Sequence, residues 1–571
     1  MSIRNGVPLQ FSPHGVSDAL DATNIQDGVM ASLQNLIPDP STNNLFQCRP
    51  AAILLSNFNS FSSPGFISAM EVFGNMAYGM IASSLNAGHD QPFAFNLITK
   101  SFVAISGITS ANTPTSPVTT GAWTPPSIAL VGINLIITHP GFNFGGGFAF
   151  GVINISNLSA LTWTAQNTTT NALAALPSWV AAFNGRAYFL VTPTTGQPGA
   201  YFTDTLSLNI TNANQIITFD DNQVLTSAQG LGLFNQLGGV IQSLMVFKNT
   251  ANVYQITGDA ALSNLARNSL NVATGTLAPN SVTSTPKGLA FLAPDGLRII
   301  DFYARISDPI GVDGSGVNVP FIYTVTPSRV QASSNQNVLR ISTQNGKAPG
   351  SPQQEWWYDI SRGKWTGPHT FPASMIAAFN NTFVVAPLST VAALFQSDVT
   401  QSSTSTFVEN GSAMQFNFIS TMLPDPKAMS YFAMVETTVN IALVSGQFPI
   451  TVSVLDQNSS VLNSVLVSAP AGGTFWGNFT WGQALWGGGT SGLFPRTLEW
   501  NKPIVFRRMQ FQATGFCIGG LQIGDVFLRY QQLGYMTVDA ASTITAGEIV
   551  LIDEVTGKFL TSETSVPLTP G

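Results

Sequence analysis

The sequence predicts an all-β fold in two parts, and three observations predict it. The first is a recurring apolar hairpin. Residues 177–191, PSWVAAFNGRAYFLV, read as a strand, an Asn184-Gly185 turn and a return strand. Asn-Gly suits a type I′ turn, because both central residues take positive φ. The pattern returns at 66–83, 127–138, 241–256, 288–301 and 374–385, turning near Gly74-Asn75, Gly132, Asn249, Asp295-Gly296 and Asn380-Asn381. Hairpins repeated every roughly 45 to 90 residues predict a six-bladed β-propeller, each copy supplying the inner strands of one blade. The second observation is composition. Charged residues are 9% of the chain and hydrophobic residues 44%, with 39 Phe. That is too apolar for disorder and far below the usual charge of about 25%. Asn, Ser, Thr and Gly fill the exposed faces instead, as in chains whose surface becomes interface in a large assembly. The third is a change of rhythm after Leu423-Pro424-Asp425-Pro426. Longer alternating strands follow, at 436–443, 449–456, 459–468, 505–513 and 521–531, and they predict an appended β-sandwich.

The elements follow in chain order. A length of 571 residues is too great for one ordinary core. Residues 1–50 form an N-terminal arm with little regular structure, punctuated by Gly15, Pro38, Pro40 and Pro50. Residues 51–420 form the β-propeller. Its outer strands include FAFNLITKSFVAI (93–105), turning near Lys100, and WWYDISRGKWTG (356–367), turning at an Arg-Gly pair. Pro/Thr/Ser linkers such as 109–126 lie on one face of the disc. Residues 421–535 form the β-sandwich. Residues 536–571 form a C-terminal hairpin appendix, EIVLIDEVTGKFLT turning at Thr556-Gly557.

Chemistry-bearing residues are sparse, and the prediction is that the chain is not an enzyme. His14, His89, His139 and His369 are the histidines, and no two stand at metal-ligand spacing. No Gly-x-Ser-x-Gly elbow occurs, and the Gly145–Gly147 run lacks the Lys-Ser/Thr of a phosphate loop. Asp220-Asp221, Asp308 and Asp313 read as acidic turn residues rather than calcium ligands. The hairpins hold mainly Glu71 and Asp301 as carboxylates, too few for a glycosidase site. The sequence thus predicts no catalytic, cofactor-binding or metal residues. Cys48 and Cys517 read as two buried free thiols. Arg507-Arg508 in a strand would point to opposite faces. The Trp/Gly segment 475–489 reads as tryptophans packed on the sandwich, with sugar or membrane-interface binding as the other reading. The start, MSIRNGVPLQF, holds no signal peptide, and the apolar window 126–155 is too broken for a membrane span.

One local phrase points to a family. In SLQNLIPDPSTNNLFQCRPA (32–51), and upstream of it, Gly15, Asn35, Leu36, Pro38, Arg49 and Pro50 match a Gly-dotted arm, an Asn-Leu-x-Pro phrase and an Arg-Pro pair. This resembles the opening of the tail nozzle, or tail tubular, proteins of short-tailed bacteriophages. The match is close over about 50 residues, and the hairpin repeat extends it loosely to about 420. Ala51 departs from the glycine expected after Arg-Pro. The resemblance implies a virion structural protein made in the host cytoplasm. It implies a homohexameric ring below the head-to-tail adaptor, near tail fibre or needle proteins. Such a ring retains double-stranded DNA and then conducts it without specific binding. The formal net charge of −7 fits a wall that does not grip phosphate, and a lumen poor in Lys and Arg is expected. The alternative is a carbohydrate-binding or adhesin propeller acting alone. A secreted propeller hydrolase is a third reading, against which the sparse carboxylates weigh.

Overall fold

The computed structural model describes residues 7–561, without 12–14, 18–28, 41–44, 59–60, 62–64, 84–87, 117–123, 233–242, 250–251, 271–272, 313–315, 325, 345–352, 388–391, 403–404, 410, 423–430, 443–448, 468–493, 499, 501–503, 534–549 and 553–558. The described residues are almost entirely strand. They form a β-propeller joined to two further sheets.

Five blades follow in chain order. The first holds Ile67–Phe73, Met76–Ser83, His89–Asn96 and Ser101–Val103. The second holds Ser127–Val131, Asn134–Thr138, Phe150–Asn154 and Leu161–Gln166, with Ile105–Ser106 added in parallel outside. The third holds Trp179–Phe183, Arg186–Val191, Gly199–Phe202 and Ile216–Thr218. The fourth holds Leu225–Leu231, Ser243–Lys248, Val253–Thr257 and Ala266–Ser269. The fifth holds Thr283–Thr285, Gly288–Ala293 and Gly296–Ile300. The last blade is Ala373–Phe379, Thr382–Pro387 and Ala393–Asp398, completed by Ile53–Asn57 from the N-terminal side of the ring.

Each of these six free-standing blades carries one predicted hairpin. At 66–83, 127–138, 177–191 and 374–385 the hairpin is the inner pair, as expected. At 241–256 and 288–301 it is the second and third strands. Leu225–Leu231 (LTSAQGL) and Thr283–Thr285 take the inner places there. Their small polar residues carry too little apolar alternation to read as core strands. The 288–301 turn is Pro294-Asp295, with Gly296 opening the return strand opposite Ala293. The ring closes on one position more than the hairpin count. Between the fifth and last blades stand Gln331–Asn335, Val338–Gln344, Gln353–Asp359 and Lys364–His369, the inner end of a ten-stranded sheet. Inner strands pack on one another in this order, and the last returns to the first.

Apolar clusters sit between successive blades. Leu135, Ile137 and Trp163 of the second blade meet Ala69, Tyr78 and Met80 of the first. Ile67, Phe93 and Phe95 of the first meet Met375, Val384 and Leu394 of the last, which seals the ring. Each fully buried Leu, Ile or Phe here contributes about 1.5–3 kcal/mol of transfer free energy.

The ten-stranded sheet runs on from Lys364–His369 through Val29–Gln34, Gln415–Ser420, Met509–Phe516 and Ile450–Asp456 to Val461–Val467. A seven-stranded sheet is built on Tyr431–Ala442 and Gln522–Leu533, with Phe494–Leu498 at one end and Phe46–Cys48 and Leu36–Pro38 at the other. One buried cluster lies under both, including Phe46, Val439 and Val526 from the second and Val452, Phe511 and Ala513 from the first. The arm is therefore not structureless, since Val7–Phe11, Val29–Gln34, Leu36–Pro38 and Phe46–Cys48 are strands of these sheets. Arg507-Arg508 does not lie within a strand. It forms the bend at which the chain leaves Val505–Phe506, paired in one sheet, for Met509–Phe516 in the other. Val550–Ile552 pairs with Phe559–Thr561, and the Thr556-Gly557 turn lies outside the described residues, as does 475–489. No helix among the described residues is long and apolar enough to cross a membrane.

Candidate functional site

The densest polar arrangement is a buried junction where arm, ring and C-terminal sheets meet. Asn35 stands between two arm strands at φ 58°, a left-handed position that Asn tolerates. Its Oδ1 accepts from Arg49 Nε (2.9 Å) and the Thr370 backbone N–H (3.2 Å). Its Nδ2 donates to the Gln415 carbonyl (2.6 Å), and its backbone N–H to His369 Nδ1 (3.1 Å). Arg49 forks onto Glu409 with two contacts of 2.8 Å, both side chains buried. Glu409 Oε1 also accepts from the Ala52 N–H (3.1 Å). Nearby, Glu355 Oε1 accepts from Arg340 Nε (2.7 Å) and Trp357 Nε1 (2.6 Å), and Oε2 from the Ala373 N–H (3.2 Å). The Arg340 guanidinium lies over the Trp357 and Phe383 rings.

Two buried Arg–Glu pairs thus face each other across His369. Burial, with Arg49 and Arg340 adding repulsion, holds the His369 imidazole well below its usual range, so it is neutral. Burial lowers Arg340; at Arg49 burial also pulls down, but the Glu409 carboxylate, with Glu355 and Cys517 adding to it, leaves the guanidinium raised. Cys48 and Cys517 lie at the same junction, buried and unoxidised, with the Cys517 thiol directed at the Asn35 carbonyl (3.9 Å). A hydrogen bond with Cys48, and then burial, push that thiol up. Such a network is closed to substrate and acts as a clamp, since removing one partner strands the other's charge.

A second cluster has the residue types of a hydrolytic triad. Ser68, Asp90 and His139 are fully buried between the first and second blades. Ser68 Oγ donates to Asp90 Oδ2, and His139 Nε2 lies 3.1 Å from the same oxygen. The Gly141 N–H donates to His139 Nδ1 (3.0 Å), which leaves the ring proton on Nε2, facing Asp90. A triad needs the hydroxyl on the imidazole and the carboxylate behind it. Here both bind one carboxylate, so the imidazole does not face the hydroxyl, and the cluster ties two blades together.

The acidic residues singled out by sequence are separate. Lys248 Nζ pairs with Asp221, and Arg267 Nη2 with Asp220 (2.6 Å). Asp301 accepts from the Tyr303 and Arg305 N–H groups (2.9 and 2.8 Å), a turn cap. Asp308 takes the Ser307 hydroxyl on its carbonyl, and His89 Nδ1 lies 2.9 Å from the Thr113 carbonyl. Asp313 and His14 lie outside the described residues. Glu71, on the innermost strand of the first blade, keeps solvent-accessible surface but is walled by the ring. The surrounding protein pushes its carboxyl up to about 7. No group of His, Cys, Asp and Glu suited to a metal occurs among the described residues. A cavity of about 190 Å³ opens beside the junction, lined by Pro38, Pro40, Trp357, Asp359 and Arg362 among others. Arg362 crosses it to the Pro40 carbonyl (2.8 Å) and Asp359 Oδ2 (3.2 Å), so its polar groups serve each other.

Sequence reasoning found Asn35, Arg49 and Pro50 but not their partners. Glu409 carries no local signal, because its pairing with Arg49 spans 360 residues, and Arg340 and Glu355, 15 residues apart, meet only once their two strands are aligned.

No protein-family profile matches the chain, and no curated protein does. Among solved structures it is similar to puromycin hydrolase, at 9% identity over 65% of this chain and 61% of that one, with a TM-score of 0.37. It therefore spans less than two thirds of that enzyme. It is also similar to the β-propeller domain of the Trilobed protease from Pyrococcus furiosus, at 11% identity over 59% of this chain and 95% of that one (TM-score 0.34). The SapL1 lectin in complex with alpha methyl fucoside matches at 13% identity over 55% and 97% (TM-score 0.30). These proteins differ in function, and the chain is, on its own topology, a β-propeller protein.

Proposed function

We propose that the chain is the nozzle of a short-tailed phage tail, a ring of six copies below the head-to-tail adaptor that passes duplex DNA without gripping it. One observation carries the reading. Four of the six residues on which the resemblance rests, Asn35, Leu36, Arg49 and Pro50, are not scattered but meet at the buried junction. There they bind arm, ring and C-terminal sheets into one body, as a part that transmits load between neighbours requires. The low charge supports the same reading. Six copies sum to a formal −42, six times −7, and a wall short of Lys and Arg does not hold phosphate.

Imaging of the purified chain, alone and with its adaptor, tests this. Closed rings of six that stack on the adaptor, and no salt-sensitive retention of duplex DNA, are expected. A lasting monomer that ignores the adaptor, or one that captures a glycan on an array, returns the chain to the adhesin reading.

A further inference from the structure

We propose that copies of this chain join edge to edge, the Val461–Val467 strand of one pairing with the Ile53–Asn57 strand of the next. The inference rests on the ring reading and names the contact that would build it. Among the described residues each strand ends its sheet, Val461–Val467 the ten-stranded sheet and Ile53–Asn57 the last blade. An exposed edge offers a row of backbone donors and acceptors to any strand that can approach, and proteins guard such edges with charge, proline or shortness.

The other outer edges of the ring and of the seven-stranded sheet are guarded. Ser101–Val103 follows Lys100, and Ile216–Thr218 is followed by Asp220. Ala266–Ser269 contains Arg267, and Gly296–Ile300 contains Arg298. Ile105–Ser106 is two residues long. Phe494–Leu498 holds Pro495 and Arg496, and Leu36–Pro38 ends in proline. Among the described residues the two edges named above have no such guard. Their sequences, VLNSVLV and ILLSN, hold no charge and no proline. They also expose large apolar side chains, Leu466 at 65%, Val461 at 60%, Leu54 at 47% and Ile53 at 45%.

The occupant follows from charge and symmetry. Two copies at −7 each repel, so they approach best where neither brings charge, and these are such places. The edges lie in different parts of one molecule, so joining them is a head-to-tail contact, which closes into a ring when the rotation allows. Seven residues facing five allow a full short ladder.

Mixing two variants that each carry one added cysteine tests the contact. Leu54→Cys and Leu466→Cys, combined and treated with a short bis-maleimide, should give a cross-linked dimer. The parent chain, whose Cys48 and Cys517 are buried, should give none. A Ser464→Pro/Leu466→Lys variant should lose self-association in sedimentation with its circular dichroism unchanged. Cross-linking of Leu466→Cys to itself, or no cross-link in the mixture, overturns the proposal. Closed rings without the cross-link leave the nozzle reading standing and remove this contact. Cross-linked open filaments do the reverse.

Discussion

At the residue scale, the junction makes the sharpest predictions. Arg49→Met should destabilise the fold by about 3–5 kcal/mol, because it leaves Glu409 ionised and buried without its partner. Arg49→Met/Glu409→Leu should recover part of that loss in urea titrations. His369 gives a pH signature. Its folded-state value is held below the usual 6.5, so between the two the unfolded chain binds more protons and stability rises with pH. The protein should therefore lose stability as pH falls below about 6.5, and His369→Gln should flatten the melting temperature between pH 7 and 5. Glu71 has the opposite sign. Burial raises its folded value above the usual 4.5, and solvent at this exposed position screens part of that rise, so stability is full below 4.5 and falls as pH rises towards 7. Glu71→Gln should raise the melting temperature at pH 8.5 and leave it unchanged at pH 4. The sequence displayed Asn35 and Arg49, because a motif is local. Glu409 was invisible, because a buried salt bridge needs the fold to bring its halves together.

At the element scale, the hairpins were legible because their turns are written in residue types that accept positive φ. Asn184 and Gly185 stand at φ 49° and 69°, and Gly74, Gly132 and Asn380 also take positive values. Gly185→Val should cost about 1–3 kcal/mol of strain, seen as a lower melting temperature. Gly151 has no positive φ to defend but faces Trp163, whose indole ring occupies the place where a Cβ would stand. Gly151→Val should expel that indole from between the first and second blades, and loss of near-ultraviolet circular dichroism with retained strand signal would report it. Two inner strands went unread because they are small and polar, LTSAQGL and TST. They are core by position, wedged between neighbouring blades, and position is not a property of local sequence. The crossover at Arg507-Arg508 was hidden for a related reason. The pair is flanked on both sides by apolar strand-forming residues, so VFRRMQFQA reads as one strand although the chain changes sheets within it.

At the scale of the whole molecule, the first residues fasten the last. Ile53–Asn57 completes the blade of Ala393–Asp398, Val29–Gln34 lies between the ring and Gln415–Ser420, and Val7–Phe11 pairs with Gln522–Leu533. A chain lacking residues 1–57 should therefore lose both the closed ring and the C-terminal sheets, giving no cooperative melt. The change of strand rhythm after residue 426 is visible in the sequence, but the arm's membership in both the ten-stranded and the seven-stranded sheet is not, because its partners are hundreds of residues away. The same fastening sets a clock on synthesis. When Ile53–Asn57 leaves the ribosome its partner strand is roughly 340 residues from being made, a delay on the order of 20–70 s at about 5–20 residues per second. For that time an unguarded apolar strand waits in a crowded cell, among other unfinished copies bearing the same edge. Yield in the host should then depend on whatever shields nascent chains, and slowing translation should raise aggregation rather than relieve it.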